Sequence, residues 1–153
     1  MLVGALAETP VARVALSMRA WDRREIFAGR WEYDPVVLAR QVCEWSALGA
    51  VVHAVDGEPV AVVNAAWSTP VVLSVGMFAT DRWGEVARPA SRWCATTFRS
   101  LLVGSGARRA ECWSMVGHLE AHAWLRWLGF RPECEAVRGR GGERFVLFGC
   151  EVG

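Results

Sequence analysis

Lysine is missing from this chain: all 17 basic residues are arginine. Without lysine there is no Schiff-base amine, no lysine general base and no phosphate-loop lysine, which excludes aldolase-like, pyridoxal-phosphate-dependent and Walker-type nucleotide chemistry. We read the all-arginine usage itself as GC-rich coding bias. Tyrosine is almost missing, Tyr33 being the single one. Net charge is nearly absent as well, +1 from 17 basic and 16 acidic residues, so no global field exists to hold nucleic acid or an anionic membrane. No uncharged apolar run approaches the roughly 18 residues of a membrane span, and the start MLVGALAETP has no basic segment of the kind a signal peptide carries. The expected location is the cytoplasm on synthesis. The five cysteines, Cys43, Cys94, Cys112, Cys134 and Cys150, form an odd set without a CxxC pair. That fits neither a disulfide framework nor a zinc ribbon, and they read as small buried hydrophobes in a reducing compartment.

What is present is one domain's worth of chain, residues 1–153, with 53% hydrophobic and 22% charged residues, a composition that must bury a core. Leu2 to Ala7 reads as a short strand, and Thr9-Pro10 as a helix start. Asp34-Pro35 repeats that start signal, and Leu38, Val42 and Trp45 then recur at i, i+4 and i+7. From Ala50 the period changes to strands around Asp56-Gly57, a pair suited to a tight hairpin turn. Val71 to Ala79 is a third consecutive strand, whose apolar run predicts a central position buried on both faces. Arg88-Pro89-Ala90 reads as the start of a helix with Cys94, Phe98 and Leu101 on one stripe, ended at Gly104-Ser105-Gly106. A strand at Ala110 to Met115, a helix at His118 to Leu128 and a closing hairpin complete the order. It predicts an α/β fold, with a mixed, mostly antiparallel central sheet of about seven strands and about four helices on both faces.

That order, with Trp124-Leu125-Arg126-Trp127-Leu128-Gly129-Phe130 near the end and Thr80-Asp81 after the central strand, resembles the GNAT superfamily of acyl-CoA-dependent N-acetyltransferases. Within it the segment is similar to small GNAT-like internal virion or assembly proteins of tailed phages. The resemblance implies a sheet that splays between its central strands, with backbone N–H groups at Met77, Phe78 and Ala79 holding pantetheine. It places the diphosphate of acetyl-CoA on the loop Asp81-Arg82-Trp83-Gly84-Glu85-Val86, with Gly84, Arg82 and Arg88 as the residues able to bind it. That loop makes a poor anion cradle, because Asp81 starts it, Glu85 sits beside the glycine, and Val86 is branched where close approach needs a small residue. Where many members place a tyrosine acid the chain has Leu125. At the family's helix-start asparagine it has His118. A base for the acceptor amine would come from Glu111, His118 or His53.

Other signals carry less. His118 and His122 share a helix face, but Glu120 does not take the second position of a zincin motif, so the pair reads as structural and no metal site is expected. Cys112 near His118 lacks the surroundings of a nucleophilic thiol. Arg108-Arg109 and Arg138-Gly139-Arg140 read as solvated turn charge. The nine tryptophans exceed what one small domain buries, which points several of them to a protein interface. Two functions therefore stand as expectations. The first is a degenerate GNAT-fold phage protein with no cofactor, acting by contacts with phage or other proteins in virion assembly or as a virion component, or forming a homo-oligomer. The second is an active acetyl-CoA-dependent N-acetyltransferase of an unknown amine. Neither nucleic acid nor membrane is an expected partner.

Overall fold

The computed structural model describes residues 1–153 as a seven-stranded sheet in the order β1-β2-β3-β4-β5-β7-β6. Strand β1 (Leu2–Gly4) is followed by helices α1 (Glu8–Leu16), α2 (Ala20–Ala28) and α3 (Pro35–Trp45). The meander β2 (Leu48–His53), β3 (Pro59–Thr69) and β4 (Val72–Ala79) comes next. A long helical body then runs through α4 (Trp83–Trp93), a π-helical turn (Cys94–Phe98) and α5 (Arg99–Gly104). β5 (Arg109–Met115), α6 (Leu119–Trp127), β6 (Arg131–Val137) and β7 (Arg144–Glu151) complete the chain. No helix is long and apolar enough to cross a membrane.

Local sequence accounts for most boundaries. Asp34 caps α3 by accepting from the Val36 N–H at 2.8 Å, with Pro35 in the first turn, where a missing N–H costs nothing. Gly57 supplies the positive φ of the β2–β3 turn, at 86°, and Asp56 closes that turn by accepting from the Glu58 N–H at 3.1 Å.

The sheet carries a helical layer on each face. Val51, Val62 and Phe78 pack against α1, α2 and α3, while Val63, Leu73 and Phe148 pack against the α4–α5 body and α6. All neighbouring strands are antiparallel except β4 and β5, whose parallel ladder covers only Val72 to Ser74 against Arg109 to Glu111. Beyond Ser74 and Glu111 the two strands part, and the sheet opens into a V.

Three sequence expectations change here. The helices form five bodies rather than about four, because the charged stretch around Trp21–Glu25 is a helix of its own, α2. β4 is central but not buried on both faces: Ser74 and Gly76 are exposed, since the strand walls the opening of the V. The helix expected from Arg88 begins at Trp83 and carries Pro89 inside it. Its buried stripe runs Val86, Ala90, Cys94, Phe98 and Leu102. The π-helical turn adds a residue to the repeat, so Leu102 takes the core position and Leu101 is exposed.

Candidate active site

Helix α2 crosses the open end of the V and supplies what the parted strands lost. Asp22, 3% exposed, accepts from the Ala79 N–H at the end of β4 at 2.8 Å. One turn on, Glu25 accepts from the Met115 N–H at the end of β5 and from Ser114 Oγ at 2.7 Å. Two carboxylates at i and i+3 on one helix face thus replace ladder partners for two diverging strands. Arg19 neutralises Asp22 through Nε at 3.1 Å and Nη2 at 3.0 Å. Burial nevertheless raises the Asp22 carboxyl above the usual carboxylate range, the Arg19 charge opposing the shift.

Below this bridge lies a cleft of about 620 Å³, lined on one side by Glu25, Ile26 and Leu38 and on the other by Ala87, Cys94 and Trp124. It therefore passes between the helical layers through the gap in the sheet. Successive residues of a strand turn their backbone N–H and C=O groups to opposite edges. The Thr80 N–H donates to the Val60 carbonyl on β3, at 2.8 Å, so Phe78 also faces β3, whereas Met77 and Ala79 face the gap. The Ala79 N–H belongs to Asp22 and its carbonyl to the Arg19 N–H, at 2.8 Å. Met77 alone therefore presents its N–H to the cleft among Met77, Phe78 and Ala79.

His118, at the start of α6, is buried in the cleft wall, its ring stacked on Trp21 with centroids 5.1 Å apart and planes 8° from parallel. Its Nδ1 lies 3.2 Å from Glu25 Oε2. A carboxylate at Nδ1 selects the tautomer with the proton there and leaves Nε2 with its lone pair, the form of imidazole that accepts a proton. The β6–β7 turn closes the same end of the cleft. Arg138 lies over Trp113, 4.4 Å from the ring centroid, and Arg140 over Tyr33 at 4.2 Å. The Arg140 N–H donates to the Ala28 carbonyl at 2.9 Å. Both arginines are exposed, as expected of turn charge, and each also lies over a ring, Arg138 over Trp113 of β5 and Arg140 over Tyr33 of the loop after α2.

A helix-covered sheet split between two parallel strands has well-defined relatives among solved structures. A GNAT-family acetyltransferase from Bacillus anthracis superposes with a TM-score of 0.73 at 11% identity, over 97% of this chain and 93% of its own. Aminoglycoside 6'-acetyltransferase type Ii gives 0.74 at 8% identity, over 99% and 97%. The ribosomal-protein-S18-alanine N-acetyltransferase from Escherichia coli gives 0.70 at 12%, over 99% and 93%. The fold is that of the GNAT acetyltransferases. The sequence matches no protein-family model and no curated protein, and the likeness gives the expected tie to phage proteins no support. Since the GNAT neighbours named here act on an aminoglycoside and on a protein alanine by their names, the fold leaves the acceptor open.

Against the GNAT arrangement the expected site residues divide. Met77, Phe78 and His118 line the cleft. Glu111 does not; it is paired with Arg109 at 3.2 Å. His53 sits on β2, which pairs with β1 and β3 away from the gap. Gly84 is exposed, with nothing within 4 Å of where a Cβ would stand. Arg88 is exposed on the face of α4 opposite the buried stripe, and Arg82 is held by Asp56 and Glu85. Asp22 and Glu25 escaped sequence reasoning, although their i, i+3 spacing was there to be seen. For acyl-CoA the fit is divided: the gap between β4 and β5, with the free Met77 N–H and apolar walls, suits a pantetheine thioester, while the start of α4 does not suit a diphosphate.

Cys112 and Cys94 also line the cleft, and burial pushes each thiol up to about 12, which keeps them protonated and unreactive. Only Cys134 is exposed among the five. Brief treatment of the folded protein with iodoacetamide at pH 8 should therefore label Cys134 first, with Cys94 and Cys112 unmodified by mass spectrometry. Fast labelling of Cys112 would contradict this assignment.

Proposed function

We propose that the chain is an N-acyltransferase that moves an acyl group from a pantetheine thioester to an amine. The observation that carries the reading is the cleft through the sheet, with the free Met77 N–H on its β4 wall and the Glu25–His118 pair at its β5 end. The thioester, when bound, supplies an activated acyl carbon and a thiolate leaving group. Met77 N–H donates to the thioester carbonyl oxygen as negative charge develops there. His118 Nε2 receives the proton that the attacking amine loses, and Glu25, holding Nδ1–H, stabilises the imidazolium that results. Leu125 stands where a tyrosine acid would serve, and none is required for a leaving group as acidic as a thiol, whose ordinary pKa is about 8.5.

The test is amine-dependent release of free thiol from S-acetyl-pantetheine and from acetyl-CoA, across small primary amines, an aminoglycoside and a peptide with a free N-terminus. Turnover with at least one amine is expected. Thiol release that no amine accelerates, with either donor, would remove the reading. A second reading, docking to another protein, draws on Trp31, 94% exposed, with Tyr33 and Trp45 also exposed on the α2–α3 side. It predicts self-association or complex formation that Trp31→Ala with Trp45→Ala abolishes, measured by light scattering.

A further inference from the structure

We propose that the acyl donor is recognised through its pantetheine arm and not through a nucleotide diphosphate, because an Asp56–Arg82–Glu85 latch uses up the anion-binding capacity at the start of α4. The inference rests on the transferase reading above.

The latch joins two elements. Asp56 reaches from the β2–β3 turn to Arg82 Nη2 at 2.9 Å, and Glu85 accepts from Arg82 Nε at 2.8 Å and Nη2 at 2.7 Å. One guanidinium therefore serves two carboxylates, with Asp81 a third acid beside them. The Arg82 hydrogen bond holds the Glu85 carboxyl below the usual range, and the Glu58 N–H together with Arg82 does the same for Asp56. A diphosphate arriving here meets the net negative charge of Asp56, Asp81 and Glu85 around Arg82 and must compete with two carboxylates for that guanidinium.

Most of the backbone there is committed too. The Arg82 N–H donates to Thr80 Oγ1 at 3.3 Å, the Trp83 N–H to the Thr80 carbonyl at 3.0 Å, and the Glu85 N–H to the Arg82 carbonyl at 3.0 Å. Three of the four N–H groups that a phosphate would take at this helix N-terminus are thus satisfied internally, and only that of Gly84 is left over. Val86 is 2% exposed in the core and holds the first turn of α4 against the sheet. On the same hairpin as Asp56, Glu58 takes up Arg13 at 2.6 Å. No Asp or Glu occurs between Glu85 and Glu111, yet Arg88 and Arg92 of this stretch lie exposed on the outer face of α4 and do not line the cleft. Arg99, which does line it, stands at α5, beyond the π-helical turn from Gly84, and donates to the Glu151 carbonyl at 3.4 Å. A pantetheine arm, which is uncharged and carries two amides, needs none of these groups. The gap and the Met77 N–H suffice for it.

Calorimetry with wild-type protein separates the possibilities. S-acetyl-pantetheine and acetyl-CoA should bind within about threefold of each other, whereas two charge-assisted bonds to a diphosphate would give acetyl-CoA an advantage of roughly a hundredfold. Acetyl-CoA binding more than about thirtyfold tighter would overturn the latch inference and leave the transferase reading standing. Failure of both donors to bind at millimolar concentration would remove the two together. The double variant Asp56→Asn with Glu85→Gln frees Arg82 while Asn keeps the acceptor for the Glu58 N–H, and these exposed ion pairs matter little to folding. It should tighten acetyl-CoA by about tenfold and leave S-acetyl-pantetheine unchanged. An unaltered acetyl-CoA affinity would refute the latch.

Discussion

His118→Gln should lower kcat for acyl transfer by roughly 10²–10⁴-fold, the range that one positioned proton acceptor contributes, with a much smaller change in KM. The loss follows from geometry. With Nδ1 held 3.2 Å from Glu25, Nε2 is the only nitrogen of the ring left to take a proton, and the Trp21 stack fixes its plane. Glutamine offers hydrogen bonds but no basic lone pair near neutral pH. Glu25→Gln should cost at least about tenfold, because the amide no longer stabilises an imidazolium. The double variant should be no slower than His118→Gln, since residues acting as a unit lose their function once. Loss of the ring stack accounts for about 0.5–1.5 kcal/mol of stability, so thermal melting distinguishes lost chemistry from lost fold. A variant within about threefold of wild type in kcat would rule out His118 as the base.

The two halves of this pair were not equally legible. His118 announces itself as a polar residue where an apolar helix begins, and the resemblance to a known helix start singled it out. Glu25 lies 93 positions away, in a stretch that reads as ordinary surface charge. Helix α2 lacks the stripe that betrays a packed helix, because its buried residues are Asp22 and Phe27, and a carboxylate in the core is invisible to any hydrophobic period. The residues that make the site are thus the ones that hide the element carrying it. Arg138 and Arg140 escaped for a related reason: the rings they cover, Trp113 and Tyr33, come from other elements. By contrast the β2–β3 turn, the Asp34 cap and the order of strands and helices along the chain rest on neighbours in sequence, and these were readable. The split between β4 and β5 lies between. A parallel pair with a helix between its members was expected, but where the ladder stops depends on what fills the gap.

Asp22→Ala should destabilise the protein by about 3–5 kcal/mol, the cost of removing one partner of a buried, hydrogen-bonded ion pair. Two groups would lose their partner at once, the Ala79 N–H and the Arg19 guanidinium, which would keep only the exposed Glu120 carboxylate at 3.9 Å. Asp22→Asn, which keeps one acceptor for Ala79, should lose less. The pH dependence has a definite sign. Because burial raises the Asp22 carboxyl in the fold, the native state holds its proton at pH values where the unfolded chain has released it. Stability from this group is thus complete below the ordinary carboxylate value and declines as pH rises through the higher value of the folded protein. The stability of wild type relative to Asp22→Asn, from urea unfolding, should accordingly increase as pH falls through that window. A decrease would mean that the Arg19 charge outweighs burial. Activity should fall in Asp22→Ala even where the chain remains folded, since only the Arg19 N–H bond to the Ala79 carbonyl and the Met18–Thr80 bridge would then tie the end of β4 to the start of α2. Full turnover in a folded Asp22→Ala protein would show that the bridge from α2 is not what keeps the cleft open.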